Sequence, residues 1–196
     1  MELFRCVETI GSDGDKADVL SQAARANLPT SETVQRAFFA AVNSIGSDGD
    51  RKRVLEEVLS AAHTPGFLAA QVAQAAKRIG SDGDKASVLS RVAELELKEE
   101  AGRAAFFTAV NSIGSDGERA NVLGQVLRNP ATSSESAVAA IDSVMKIGSN
   151  VERVSLLVAA AEKHSANPVV RAHLQRAMRS LDSDGDYRRV SDALRQ

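Results

Sequence analysis

Tryptophan is absent from this chain, and it has one tyrosine, Tyr187, and one cysteine, Cys6. A single cysteine cannot close a disulfide within the chain, so no covalent framework holds the fold and no redox compartment is implied. Aromatic residues are only 4% of the total, which leaves few platforms for stacking nucleic-acid bases. Neither sign of charge dominates. The 24 Lys+Arg against 26 Asp+Glu leave a formal charge of −2, so no global attraction to nucleic acid or an anionic membrane is expected. No apolar run reaches the roughly 18 residues that read as a membrane span. The opening Met1-Glu2-Leu3-Phe4-Arg5 does not read as a signal peptide, and a cytoplasmic location is the default expectation. With 43% hydrophobic and 26% charged residues, and only 4 prolines, disorder and collagen-like structure are excluded. What is left is a core-forming chain poor in aromatics.

What the chain does have is an internal repeat. Ile10–Leu20, Ile-Gly-Ser-Asp-Gly-Asp-Lys-Ala-Asp-Val-Leu, recurs as Ile45–Leu55, Ile79–Leu89 and Ile113–Leu123. Weaker copies run Ile147–Leu157 and Leu181–Ser191, so the steps between starts are 35, 34, 34, 34 and 34 residues. Self-similarity at a fixed step of this length is the signature of a stacked array. Apolar residues upstream of the motif recur at helical spacing, as in Val34, Phe38, Ala41, Val42 and Ile45, and in Phe106, Ala109, Val110 and Ile113. Downstream, Val54, Leu55, Val58 and Leu59 form a second stripe, matched by Val122, Leu123, Val126 and Leu127. Each stripe is one face of an amphipathic helix.

The motif reads as a helix stop followed by a helix start. Gly11, Gly46, Gly80, Gly114 and Gly148 follow the last apolar residue, where a left-handed C′ conformation favours glycine. Then come Ser12, Ser47, Ser81, Ser115, Ser149 and Ser183, each three residues before an acid: Asp15, Asp50, Asp84, Glu118, Glu152 and Asp186. Ser-x-x-acid is capping-box spacing. Thr64-Pro65 and Asn167-Pro168 read as N-caps with proline at the first helical position, and Pro29 and Pro130 mark longer loops between units.

Stacked units would align apolar columns such as Leu3, Phe38, Val72, Phe106, Ala140, Leu174 and Val7, Val42, Ala76, Val110, Val144, Met178. The expected fold is all-α: one α-solenoid of six stacked helical hairpins with a 34-residue period and a continuous core. The unit boundaries fall near 1–27, 28–62, 63–96, 97–130, 131–165 and 166–196.

The period equals that of tetratricopeptide repeats, whose Trp, Leu-Gly, Tyr and late Pro signature is missing. The succession Ala41, Ile45, Gly46, Val54, Leu55 is similar instead to HEAT-like repeats, with Ser-Asp-Gly lengthening the turn. The fuller pattern Ile-Gly-Ser-Asp-x-acid-basic-x-x-Val-Leu resembles bacterial helical repeats, some of them in membrane sensors of the metallopeptidase antirepressor type. That resemblance implies a bacterial scaffold and carries no active site, because His-Glu-x-x-His does not occur here.

Paired acids in the turns (Asp13/Asp15, Asp48/Asp50, Asp82/Asp84, Asp116/Glu118, Asp184/Asp186) invite a calcium reading. Calcium takes about 6–8 oxygens, and each turn offers two acids, so capping and helix-dipole stabilisation account for the pattern better. Basic residues follow in Lys16, Arg51, Lys85, Arg119 and Arg153, with Tyr187-Arg188 in the last copy. They read as a basic track or, preferably, as a stripe of inter-repeat ion pairs with Asp13, Asp48, Asp82 and Asp116. His63, His164 and His173 lack ligand spacing, Cys6 aligns with the core positions Ala41 and Ala109 and reads as buried, and the serines have no repeated base. No enzyme, no cofactor and no metal are expected.

The expected role is binding a protein or peptide partner, with no nucleic acid and no membrane insertion. By analogy with HEAT-like arrays, the candidate contacts are the varying exposed positions of the second helices: Asp18, Gln22, Arg53, Glu57, Ser87, Arg91, Asn121 and Gln125. The apolar first helix (Leu3, Phe4, Cys6, Val7) suggests a segment of a longer protein or self-association through that end. A structural spacer or self-assembly module and a calcium-stabilised array are the alternatives.

Overall fold

A computed structural model describes residues 2–26, 31–60, 66–95, 97, 99–181 and 183–195. Twelve α-helices account for most of them, and no strand occurs among the described residues. In chain order they are α1 Glu2–Glu8, α2 Asp13–Arg25, α3 Glu32–Asn43, α4 Asp48–Ser60, α5 Gly66–Ala76 and α6 Asp82–Ala93. They continue as α7 Glu100–Val110, α8 Asp116–Arg128, α9 Ser134–Val144, α10 Asn150–His164, α11 Pro168–Met178 and α12 Asp184–Ala193. Odd helices pack on the next odd helix and even on the next even, and consecutive helices also touch. This layered packing is compatible with a solenoid. Pro29, Thr64-Pro65 and His63 lie outside the described residues.

Each odd helix closes in the same way. The Ile45 N–H donates to the Val42 carbonyl at 3.2 Å, and Ile79, Ile113 and Ile147 repeat this bond to Ala76, Val110 and Val144 at 3.0–3.1 Å. This is the tighter 3₁₀-type last turn. None of the motif glycines has a φ in the left-handed region, so the expected C′ role does not apply. The chain leaves the helix by the tight turn, and the glycines serve another purpose, described below.

Even helices start on serine. The oxygens Oγ of Ser12, Ser47, Ser81, Ser115, Ser149 and Ser183 accept the N–H of Asp15, Asp50, Asp84, Glu118, Glu152 and Asp186 at 3.2–3.4 Å. Such a side-chain cap satisfies one of the four N–H groups that a helix start leaves without an intrahelical partner. Asn167 does the same for α11, accepting from Val169 and Val170, with Pro168 at the first helical position.

The core lies between the two helix layers. Phe38, Val72, Phe106, Ala140 and Leu174 are fully buried, as are Val42, Ala76, Val110 and Val144. Edge-to-face ring pairs Phe4–Phe38, Phe38–Phe39 and Phe106–Phe107, with centroids 5.0–5.5 Å apart, pack within this core. In α1, Phe4 and Val7 turn into this core, whereas Leu3, at 59% exposure, and Cys6 stand out of it. Phe106 has no exposed surface, and Phe106→Ala is expected to lower the unfolding free energy by about 3–5 kcal/mol. A urea titration of the two proteins checks this; a loss below 1 kcal/mol contradicts the packing.

Candidate functional site

The motif's polar residues meet across the junctions between copies. Asp13, the first residue of α2, accepts the N–H groups of Gly46 at 3.0 Å and Ser47 at 2.8 Å through Oδ2. Asp48 binds Gly80 and Ser81, and Asp82 binds Gly114 and Ser115, at 2.8–3.0 Å. Asp116 takes Ser149 at 2.8 Å. The capping-box expectation is therefore half met in geometry: the serine N–H goes to an aspartate of the preceding copy. The third-position acids turn elsewhere, Asp50 to Arg53 at 3.1 Å and Asp84 to Lys52 at 3.2 Å.

A cation one turn on completes the grip. Lys16 Nζ donates to the Ser44 carbonyl at 3.0 Å and Lys85 Nζ to Ser112 at 3.1 Å. Arg51 NH1 reaches the Arg78 carbonyl at 2.8 Å and Arg119 NH1 reaches Lys146 at 3.0 Å. Both arginines also bond back to their own turns, at Ile45 and Ile113. Those carbonyls lie at the C-terminal ends of odd helices, where a positive charge is favoured. Lys16, Arg51 and Lys85 are buried, so they form no exposed basic track. Their ion pairs with Asp13, Asp48 and Asp82, at 3.5–3.9 Å, lie within one copy, and main-chain bonds carry the link between copies.

This clasp explains the glycines. A Cβ on Gly46, Gly80, Gly114 or Gly148 would stand 3.0–3.1 Å from the Oδ2 of the gripping aspartate. Glycine is needed for the close approach of a carboxylate, with no demand from φ. Two charge-assisted N–H bonds hold the carboxylates of Asp48 and Asp82 below the usual range, Gly80 and Gly114 being the largest causes. Asp13 shifts the same way, chiefly through Gly46.

The fifth junction departs from the pattern. Asn150 replaces the gripping aspartate, and Asp182 replaces the glycine that would receive it. Asn150 Nδ2 instead donates to Asp186 Oδ2 at 2.7 Å. Asn150 Oδ1 and Arg153 Nε are buried with no hydrogen-bond partner among the described residues. A cleft of about 420 Å³ opens here between Met145, Arg153, His173 and Arg176.

The candidate contact residues on the even helices divide into two groups. Asp18, Gln22, Asn121 and Gln125 are exposed. The others are tied to neighbouring copies, one of them through the first group: Arg53, itself exposed, pairs with Asp18 at 2.5 Å, Glu57 with Arg25 at 2.5 Å, Ser87 with Glu56 at 2.9 Å, and Arg91 with the Glu56 carbonyl and Ser60. These crosslinks between adjacent even helices were not legible from motif spacing, because their residues vary from copy to copy.

The isolated reactive groups are dispersed. His164 is buried and its Nε2–H donates to the Leu127 carbonyl at 2.9 Å, with burial lowering its pKa. His173 bonds Val169 on its own helix. Cys6 is exposed, contrary to the buried thiol expected from its alignment with Ala41 and Ala109. Ala41 and Ala109 themselves are fully buried, so burial at this repeat position differs between copies. No group of three or more His, Cys, Asp or Glu side chains suited to a metal occurs among the described residues, nor any helix long and apolar enough to cross a membrane. Comparison with protein families, with curated proteins and with solved structures finds no match.

Two measurements probe the clasp. Gly114→Ala is expected to cost about 1–3 kcal/mol through the displaced carboxylate, while Gly11→Ala, with nothing within 4 Å of its Cβ position, should be neutral or stabilise by about 0.4–1 kcal/mol. Equal effects in denaturant titrations contradict the assignment. On acidification, the unfolded carboxylates protonate before the folded ones, whose pKa is depressed. The clasp's contribution, present above about pH 4, is thus lost progressively below it. His164 adds an earlier loss: its depressed pKa lets the unfolded chain take a proton first as pH falls through about 6.5. His164→Gln should flatten the decline in melting temperature between pH 7 and 5; an unchanged slope counts against it.

Proposed function

We propose that this chain is an α-solenoid of six stacked helix pairs at a 34-residue period, similar to HEAT-like repeats, and that it acts as a non-catalytic scaffold binding a protein or peptide. The reading rests on one observation above others. The motif residues that recur are engaged in capping and in the clasps, whereas the second-helix positions held by Asp18, Arg53, Ser87 and Asn121, and by Gln22, Glu57, Arg91 and Gln125, differ among the copies. A stripe of varying polar side chains on a regular support suits recognition of an irregular polypeptide, since a rigid array lowers the ordering cost of binding.

The paired residues between them, Arg53 with Asp18 and Glu57 with Arg25, hold the stripe's geometry. They add alternating charge, favouring a partner of mixed sign over a nucleic-acid backbone. The serine hydroxyls are occupied as helix caps and His164 by a carbonyl, which favours a binding role over acyl or proton transfer.

Random peptides displayed on phage and selected on the intact chain test the assignment. Replacing Asp18, Gln22, Asn121 and Gln125 together by Ala is expected to weaken the selected peptides at least tenfold with the helical circular dichroism unchanged. Undiminished affinity moves the binding face elsewhere.

A further inference from the structure

The first motif copy is built like the others but is covered differently. Its turn has the same construction: Thr9 Oγ1 donates to the Cys6 carbonyl at 2.7 Å, as Ser44 and Ser112 donate to Ala41 and Ala109 at 2.7–2.8 Å. Ser12 is extended and caps α2, as Ser81 and Ser115 cap theirs. The N–H groups of Gly11 and Ser12 and the carbonyl of Thr9 therefore occupy the positions that receive an aspartate and a cation in later copies. At Gly46, Gly80, Gly114 and Gly148 an aspartate oxygen lies 3.0–3.1 Å from the Cβ position; at Gly11 nothing lies within 4 Å.

The surrounding side chains repeat the contrast. Leu3 is 59% exposed, while its equivalents Phe38, Val72, Phe106, Ala140 and Leu174 have no exposed surface. Cys6 is exposed where Ala41 and Ala109 are fully buried. Val19 and Ala23 are only partly buried, although Val54, Val88 and Val122 at the place of Val19 are completely so. The outer face of α1 and α2 thus continues the stacking interface that the other copies bury, with apolar side chains beside a receptive turn.

The last copy is not its complement. Asp184 stands at the gripping position, but Tyr187 replaces the cation. Gln175 and Arg188 are exposed where Phe107 and Ala120, two copies earlier, are buried. A second copy presenting its α12 end would set polar residues against Leu3 and Cys6, at an unrecovered desolvation cost.

We propose that the outer face of α1 and α2 docks a helical partner whose second helix opens Asp-x-x-Lys/Arg and carries an apolar flank. The partner's carboxylate takes the Gly11 and Ser12 N–H groups, its cation takes the Thr9 carbonyl, and its apolar flank covers Leu3 and Cys6. This surface is separate from the even-helix stripe, so either assignment can fail alone.

The test uses the chain's single cysteine as a reporter. A duplicate of residues 66–99, whose second helix opens Asp-Gly-Asp-Lys, is fused ahead of Glu2 in the full chain. Reaction of Cys6 with a thiol reagent should slow at least tenfold relative to the plain chain. Gly11→Ala in the extended protein should restore the rate, by blocking the carboxylate, while leaving the melting temperature of the plain chain unchanged or raised. Equal Cys6 rates in extended and plain chains overturn the proposal, whether the added pair fails to dock or to fold. It is also overturned if Cys6 of the plain chain becomes protected as protein concentration rises, because a second copy then occupies the face.

Discussion

A carboxylate held by two successive backbone N–H groups is the interaction on which this structure depends. It requires an aspartate at the first position of an even helix, a glycine with no Cβ to obstruct it, and a serine whose N–H is turned outward because its side chain caps its own helix. The cation three residues later takes the carbonyl that the preceding helix leaves unpaired. Donors and acceptors orphaned at a helix end and a helix start are thereby satisfied by a neighbouring copy. The exposed ends of the helices, normally the weakest part of a helical stack, become its fasteners. Because donor and acceptor lie on different copies, each junction adds polar specificity to an apolar interface that alone would tolerate sliding.

The fifth junction shows what happens when one member changes. With Asn150 in place of aspartate the glycine is no longer required, and Asp182 stands there. Helix packing persists, since α10 still contacts α12 and α9 still contacts α11. Apolar burial through Val144, Leu174 and Met178 holds the layers together, while Asn150 Oδ1 lacks a partner among the described residues and a cleft opens nearby. Burial supplies cohesion and the clasp supplies register, and here the two separate.

Much of the scaffold was legible in the sequence: helical stripes, serine caps and the buried columns all follow from local spacing. Some readings failed for an identifiable reason. Glycine after a helix usually signals a left-handed turn, and only the approach of Asp13 or Asp48 from another copy reveals the steric reason for it. Cys6 aligned with buried alanines, yet it is exposed, because burial depends on what packs over a position and alignment carries no such information. The crosslinks Arg25–Glu57 and Arg91–Ser60 join residues about one copy apart with no fixed identity, so no pattern announced them. One signal did exist. The joint loss of the aspartate at 150 and the glycine at 182 is written in the chain.

The sequence alone thus determined where helices begin and end and which residues face the core, because capping and amphipathicity are short-range and periodic. Its near-neutral charge is likewise local, an acid and a base in each turn of the first four motif copies. Only the tertiary structure decided what those charges do. Whether Asp48 closes its own box or grips Gly80 and Ser81 depends on a distance between helices, and whether Lys85 is a surface cation or a buried fastener depends on what packs over it. Spacing along the chain encodes neither, because both bonds span about 30 residues and exist only once the layers have stacked.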